Sequence, residues 1–323
     1  FTGSVGVGKR IMELASRNLT KIVLELGGKD PMVVLKDADL ERAARGAVWA
    51  AFMNCGQSCA SVERVYVARE ICEAFTARVT ELARALKVGD PLEPDTDVGP
   101  MATRGQMETV LEHLRDAREK GARFLTGGGR VEGQAGYFVQ PTVLDGVNHG
   151  MKVMAEETFG PVLPIMPFAD EDEAVALAND CRYGLTASVW TRSRKAAERF
   201  ADRLEAGTIT VNDHMFSFLE PKAIWGGVKQ TGIGRSHGPY GLLSLVNIKF
   251  VSSEYRRASD LLWWFPYSAS KAATVGHALH LMYGAGPGKK LKSAAALAPS
   301  LGLLLKTVAP KSRWTIVRRL FRK

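Results

Sequence analysis

The chain has 323 residues, 46% of them hydrophobic, which suits a folded globular protein with a sizeable core and room for two domains. Its net charge of +9 is uneven, because residues 261 to 323 hold 11 Lys and Arg and no Asp or Glu, so the first 260 residues are close to neutral. A near-neutral body gives no sign of a nucleic-acid partner, whereas the basic tail suits an anionic surface. Four cysteines (Cys55, Cys59, Cys72, Cys181) with no CxxC pair and no nearby His speak against a disulfide or metal framework, so no metal is expected. A reducing, cytoplasmic compartment fits that usage. Phe1, rather than Met, stands inside what reads as a turn entering a helix, so the sequence is expected to be a fragment lacking its natural N-terminus.

The first element is a helix over Val5 to Ser16, entered through Gly3-Ser4. Lys21 to Leu26 and Met32 to Leu35 read as short strands broken by Gly27-Gly28, and Asp39 caps an Ala-rich helix from Leu40 to Met53. That helix ends near Gly56-Gln57 and delivers Cys59 on the following turn. A strand (Arg64 to Ala68), a helix (Glu70 to Leu86), a Pro-, Asp- and Gly-rich loop (Val88 to Pro100) and a helix (Arg104 to Lys120) follow. Next come a strand (Arg123 to Thr126), a turn-rich stretch (Gly127 to Gln140), a strand (Val162 to Phe168), a helix (Asp172 to Asn179) and a strand (Ala187 to Thr191). Helix Arg194 to Leu204 and strand Thr208 to Val211 complete a βαβα order, which calls for an α/β fold with a parallel sheet and helices on both faces. Beyond Asn212 the texture changes to the dense glycines of Trp225 to Arg235, which imply tight backbone approach to another segment or a ligand, and then to a strand-like Val246 to Val251.

Two residues carry chemistry. Cys59 lies 34 residues after Glu25 and would supply a thiol nucleophile, while Glu25 would supply a carboxylate base able to activate water against a thioester. A helix-end position would lower the thiol from its ordinary pKa of about 8.5. The run Gly3-Ser4-Val5-Gly6-Val7-Gly8-Lys9 matches G-x4-G-K of a phosphate-binding loop, but Arg10 stands where the magnesium-binding hydroxyl is required. A glycine turn at a helix N-terminus still suits the pyrophosphate of a dinucleotide. Cys55, Cys72 and Cys181 read as buried small hydrophobes, and His214 and His237 as loop residues.

Five segments in order resemble the signature motifs of the NAD(P)-dependent aldehyde dehydrogenase superfamily: Phe1 to Ser4, Leu24 to Lys29, Phe52 through Cys59, Glu156 to Val162, and Gly226 to Arg235. The resemblance covers roughly residues 1 to 255 and implies an aldehyde-dehydrogenase-like catalytic domain with the remnant of a Rossmann-type cofactor domain. On that resemblance, residues 1–27 end the cofactor-binding domain, 28–220 form the catalytic domain, 221–258 a Gly-rich return segment and oligomerisation strand, and 259–323 a basic apolar extension. It implies Cys59 as nucleophile, Glu25 as base, Gly3 and Ser4 facing the pyrophosphate of NAD or NADP, and Leu26 and Gly27 bordering the nicotinamide. Glu157 would bond the nicotinamide ribose, Phe159 would pack near the ring, and Trp225 would line the substrate mouth. The implied reaction is oxidation of an aldehyde to an acid through a cysteine thiohemiacetal and thioester, in a homo-oligomer. The oxyanion would meet the Cys59 N–H and an Asn from a segment preceding this chain, so the fragment alone is expected to be impaired.

Two other readings stay in view. A CoA-acylating semialdehyde dehydrogenase would release the acyl group to CoA, and Glu25 argues against it because a hydrolytic base would waste that group. A catalytically silent scaffold is argued against by the intact Cys59 and Glu25. The tail carries Leu261 to Tyr267, rich in aromatics, then Ala- and Leu-rich stretches punctuated by Lys and Arg. Its uncharged run Ser293 to Leu305 is 13 residues with Pro299 and Gly302 inside, short of the roughly 20 that span a bilayer. Residues 261 to 323 are therefore expected to lie at a membrane surface rather than cross it, making the protein peripheral to a membrane.

Overall fold

The computed structural model describes residues 1–252 and 261–300. The chain divides into two compact units, Phe1–Asn247 and Ile248–Lys323. In the first, the elements in order are α1 (Val5–Ser16), β1 (Leu24–Glu25), β2 (Asp30–Val34), α2 (Leu40–Phe52), β3 (Val62–Ala68), α3 (Arg69–Arg84) and α4 (Arg104–Glu119). They continue with β4 (Arg123–Thr126), β5 (Thr142–Asp145), α5 (Lys152–Ala155), β6 (Val162–Phe168), α6 (Glu171–Asn179), β7 (Tyr183–Gly184) and β8 (Thr186–Trp190). The last are α7 (Arg194–Arg203), β9 (Thr208–Val211), β10 (Val228–Lys229), β11 (Gly232–Ile233) and α8 (Gly238–Ser244).

Seven strands form one sheet in the order β4-β5-β6-β3-β2-β8-β9. All neighbours are parallel except β4 and β5, the antiparallel pair at one edge. Every residue of β2, β3 and β8 is buried, as strands covered by helices on both faces must be. Short polar caps start the helices: Ser4, Asp39, Thr103, Asp170 and Ser193 each accept the backbone N–H three residues on. The expected α/β architecture is therefore present, with helix bounds within a residue or two of those expected.

Four features differ from the sequence reading. The first strand is only Leu24–Glu25, because residues before Leu24 have no ladder partner, whereas Glu25 is held by Phe1 and Gly3 on one side and by Gly232 on the other. Strand β5 and the single-turn α5 were not anticipated; each has only 4 residues, too few to carry a periodic signature. Gly238 to Ser244, read as more of the glycine-rich stretch, is the helix α8, with proline in its first turn. Val246 to Val251 forms no strand; Ile248, Phe250 and Val251 are exposed, and among the described residues no strand is laddered to that segment.

The dense glycines do mark close backbone approach. A Cβ on Gly207 would lie 1.8 Å from the Gly226 carbonyl oxygen, and one on Gly232, at φ +135°, would lie 2.0 Å from the Leu24 carbonyl oxygen.

The second unit contains α9 (Ala269–Tyr283) and α10 (Pro287–Leu297), which pack on each other. Ser268 caps α9, and Lys271 Nζ donates to the Trp264 carbonyl at 2.9 Å. Trp263, Trp264, Phe265, Tyr267, Met282, Tyr283 and Leu291 are exposed. Among the described residues no helix is long and apolar enough to cross a membrane. Of the run Ser293 to Leu305, only residues 293–300 are described.

Gly207→Ala is expected to lower stability by at least about 1 kcal/mol, since backbone rather than a side chain must give way. A chemical denaturation midpoint equal to that of the parent chain would contradict the backbone contact.

Candidate active site

Glu25 ends β1 in a three-stranded arrangement that leaves its side chain half-enclosed. Its N–H donates to the Phe1 carbonyl at 2.9 Å, its carbonyl accepts from Gly3 N–H at 3.1 Å, and its register partner in β11 is Gly232. The next residues are tied to the same arm: Leu26 N–H donates to the Thr231 carbonyl at 2.7 Å, and Thr231 Oγ1 donates to the Gly27 carbonyl at 2.8 Å. Burial raises the Glu25 carboxyl above its ordinary range, opposed by a hydrogen bond from Ser236 and by the charges of Arg235 and His237. Its Oε1 is buried and has no hydrogen-bond partner among the described residues.

Cys59 follows a sharp turn rather than a helix end. Helix α2 stops at Phe52, and Met53–Gly56 turns through left-handed Asn54 (φ 53°) and Cys55 (φ 57°) before Cys59 enters the loop leading to β3. Its side chain packs against buried Ala60, Leu185 and Trp225. The thiol is pushed up to about 12, first by burial and then by the negative charges of Asp30, Glu157 and Glu25. The expectation of a lowered pKa is corrected on both counts: no helix terminus supplies a favourable dipole, and three carboxyl groups surround the sulfur. Cys55 is fully buried beside Met101 Sδ, as a small hydrophobe, and all four cysteines are free.

Trp225 and Gly226 join nucleophile and base. The Trp225 ring touches the Cys59 cluster, and the position of a Cβ on the adjacent Gly226 lies 3.2 Å from Glu25 Oε1. Trp225 is itself buried, with Phe218 edge-on at 5.6 Å and His237 tilted at 6.1 Å between ring centroids. Phe216, Phe218, Leu219 and Ile224 remain exposed around that loop.

Glu157 lies beside the same strand. Its Oε1 accepts the Gly28 N–H at 3.0 Å, and a Cβ on Gly27 would lie 2.2 Å from Oε2, so only glycine admits the carboxylate there. Burial, with help from the Glu63 charge, raises Glu157 to about 7. Phe159 takes a left-handed φ of 47°, and its N–H and that of Thr158 both donate to Glu63, at 2.8 and 2.7 Å. Gly3 and Ser4 stand exposed at the start of α1, where Ser4 Oγ accepts the Val7 N–H. Gly6 and Gly8 are already inside that helix, which removes the phosphate-loop alternative: a loop that wraps phosphate must precede the helix.

All the singled-out residues of Leu24 to Lys29 and Glu156 to Val162 therefore converge with Cys59 and Trp225 on one region. Three contributors were not anticipated. Lys29 pairs with Glu63, Thr231 ties Gly27 to the Gly184 N–H, and Ser236 bonds the Glu25 carboxyl. Lys29 and Thr231 sat inside recognised motifs, but nothing local marked them as buried ties. His214, read as a loop residue, is buried and hydrogen bonded on both ring nitrogens.

Residues 1–251 match the aldehyde dehydrogenase family. The chain belongs to that family. It is 44% identical over 287 residues to 4,4'-diapolycopene aldehyde oxidase of Methylomonas sp, covering 88% of this chain and 52% of that protein. It is 42% identical over 254 residues to a putative NADP(+) succinate-semialdehyde dehydrogenase of Mycobacterium tuberculosis, covering 78% of this chain and 49% of that protein. The solved NAD+ complex of aldehyde dehydrogenase from Bacillus cereus is similar with a TM-score of 0.74 and 39% identity, over 77% of this chain and 52% of that one. The chain thus spans about half the length of the relatives it matches.

A thiol raised to about 12 gains roughly tenfold in thiolate for each pH unit below that value. Alkylation of Cys59 by iodoacetamide in the 323-residue chain should therefore climb steadily from pH 7 to pH 9. A plateau below pH 8 would contradict the burial and the nearby carboxyl charges that raise the thiol.

Proposed function

We propose that the protein carrying these residues oxidises an apolar aldehyde to the carboxylic acid, with NAD or NADP as hydride acceptor. The observation that carries this reading is the junction of Cys59 and Glu25 through Trp225 and Gly226, with Glu25 Oε1 buried and free to accept a proton. The family's cofactor fits the residues present: Glu157 keeps Oε2 beside Gly27 with no protein donor among the described residues, and Gly3 and Ser4 open the N-terminus of α1. Phe159, Leu26 and Gly27 would border its ring. Bound there, the dinucleotide would supply the hydride acceptor and a cationic ring.

The chain's own residues do the rest. Cys59 Sγ passes its proton by way of Glu25 to solvent as it bonds the aldehyde carbon, and the carbonyl π pair moves to the oxygen, which becomes an oxyanion. The Cys59 N–H, which no other protein group accepts among the described residues, is a donor for that oxygen. The family's second donor, an Asn, lies outside these 323 residues; loss of one such donor costs roughly a hundredfold or more, so this polypeptide alone is expected to turn over slowly. After the hydride leaves, Glu25 takes a proton from water, the hydroxyl bonds the thioester carbon, the carbon–sulfur bond breaks, and Glu25 returns that proton to Sγ. Burial strengthens Glu25 as a base for this step. A CoA-dependent release would leave that carboxylate without a task.

Two observations favour an apolar aldehyde. Exposed Phe216, Phe218, Leu219 and Ile224 surround the Trp225 side of the site. The similarity to the Methylomonas diapolycopene aldehyde oxidase covers 88% of the chain, beyond the 251 residues of the family match, and so reaches into the C-terminal unit. That unit combines exposed Trp263, Trp264, Phe265 and Tyr267 with Lys289, Lys290 and Lys292, which suits the interface of an anionic membrane. The protein would then be cytoplasmic and peripheral to a membrane. Exposed Ile248, Phe250 and Val251 suit a strand edge shared between copies, hence a homo-oligomer.

In the full-length protein, Cys59→Ala should lower aldehyde oxidation at least about a thousandfold while acid forms from the parent without CoA. Retained activity in the variant, or a strict CoA requirement in the parent, would refute the mechanism. Flotation with vesicles containing anionic lipid should need residues 261–323; equal flotation after their removal would eliminate the membrane role.

A further inference from the structure

His214, two residues after Asn212 and behind the sheet edge at β9, is 2% exposed, yet both ring nitrogens are engaged. Nδ1 lies 2.8 Å from Ser188 Oγ, and Nε2 lies 3.1 Å from the Ala60 carbonyl oxygen and 3.4 Å from Thr186 Oγ1. Neighbouring groups fix which nitrogen holds the proton. A carbonyl only accepts, so Nε2 carries hydrogen toward Ala60. The indole Nε1 of Trp190 only donates, and it donates to Ser188 Oγ at 3.1 Å, which leaves the serine's own proton for Nδ1. The Thr186 hydroxyl gives its proton to Asp30 Oδ2 at 2.5 Å, so its oxygen takes at most a weak share of the Nε2 hydrogen. Burial drives His214 down to about 4, which keeps the ring neutral and the assignment unique near neutrality.

Ala60 is the residue directly after Cys59 and is 2% exposed, wedged with Leu185 and Trp225 around the sulfur. The geometry points to His214 as a positioning residue that, by donating Nε2–H to the Ala60 carbonyl, fixes the turn bearing the Cys59 thiol and its backbone N–H. The chain Trp190, Ser188, His214, Ala60 thereby links the buried strand β8 to the loop that carries the nucleophile. A displacement near 1 Å in such a group costs about a hundredfold in rate, so one well-placed hydrogen bond has large leverage. This inference rests on Cys59 being the nucleophile, as proposed above.

The test compares His214→Phe, which keeps a flat buried ring without a donor, with His214→Gln, whose amide can donate to Ala60 and accept from Ser188. In the full-length protein, His214→Phe should lower kcat and the rate of Cys59 alkylation by iodoacetamide at least about tenfold, with KM for aldehyde within about twofold. His214→Gln should recover most of both. If His214→Phe fails to fold, Ser188→Ala takes its place; loss of that hydroxyl removes the donor that holds Nδ1 and frees the ring to tilt away from Ala60, and both rates should fall at least about threefold. Wild-type kcat and alkylation in the folded Phe or Ala variant, or a Gln variant as slow as the Phe variant at equal thermal stability, would overturn the inference. Because alkylation reads the thiol without aldehyde or cofactor, it separates failure of this positioning role from failure of the dehydrogenase reading, which Cys59→Ala decides.

Discussion

Between Lys29 and Glu63 runs a buried ion pair, Nζ to Oε2 2.6 Å, on which the placement of every reacting group depends. Lys29 stands four residues after Glu25, and Glu63 four residues after Cys59, so the pair joins the segment that follows the base to the strand that follows the nucleophile. Lys29 Nζ also donates to Thr158 Oγ1 at 3.1 Å, while the two Glu63 oxygens accept the N–H groups of Thr158 and Phe159. The segment bearing Glu157 is thereby stapled to the other two. Arg64 Nε repeats the tie by donating to the Lys29 carbonyl at 2.9 Å. A buried pair of this kind adds little net stability, but stripping one partner costs about 3–5 kcal/mol, so it acts as a device for register more than for strength. Burial pulls Lys29 below its ordinary range while the Glu63 charge opposes the shift, which is the balance such a device needs.

The same convergence sets the electrostatics. Glu25, Glu157 and Asp30 are each raised by burial, and the thiol is raised first by its own burial and then by their charges. A thiol near 12 is almost wholly protonated at neutral pH, so attack on a carbonyl must be coupled to loss of a proton. Carboxyl groups displaced toward neutrality are the groups able to take it. The site is thus one in which nucleophile and bases perturb each other, rather than a preformed thiolate waiting for substrate.

Much of the fold was legible in the sequence because its signals are local. Ser4 and Asp39 announce helix starts within one turn, and the alternation of strand and helix along the chain announces a parallel sheet. The site was legible where a motif carries its own neighbours, as in Leu24 to Lys29. What escaped depends on residues far apart in the chain: Thr231 meets Gly27 across 204 positions and His214 meets Ala60 across 154. The direction of the Cys59 shift failed for the same reason, since burial and three distant carboxyl groups outweigh anything a local helix end could supply. Val246 to Val251 alternates like a strand, yet a strand exists only where a ladder partner does, and no strand among the described residues is laddered to it.

The central claim is that Cys59 carries the acyl group and Glu25 releases it. Peptide mass spectrometry of the full-length Glu25→Gln variant, quenched during turnover with aldehyde and dinucleotide, addresses both halves at once. The account predicts an acyl adduct on Cys59 that accumulates because its hydrolysis is blocked. An adduct on another residue, or unmodified Cys59 under conditions where the dinucleotide has been reduced, would contradict it.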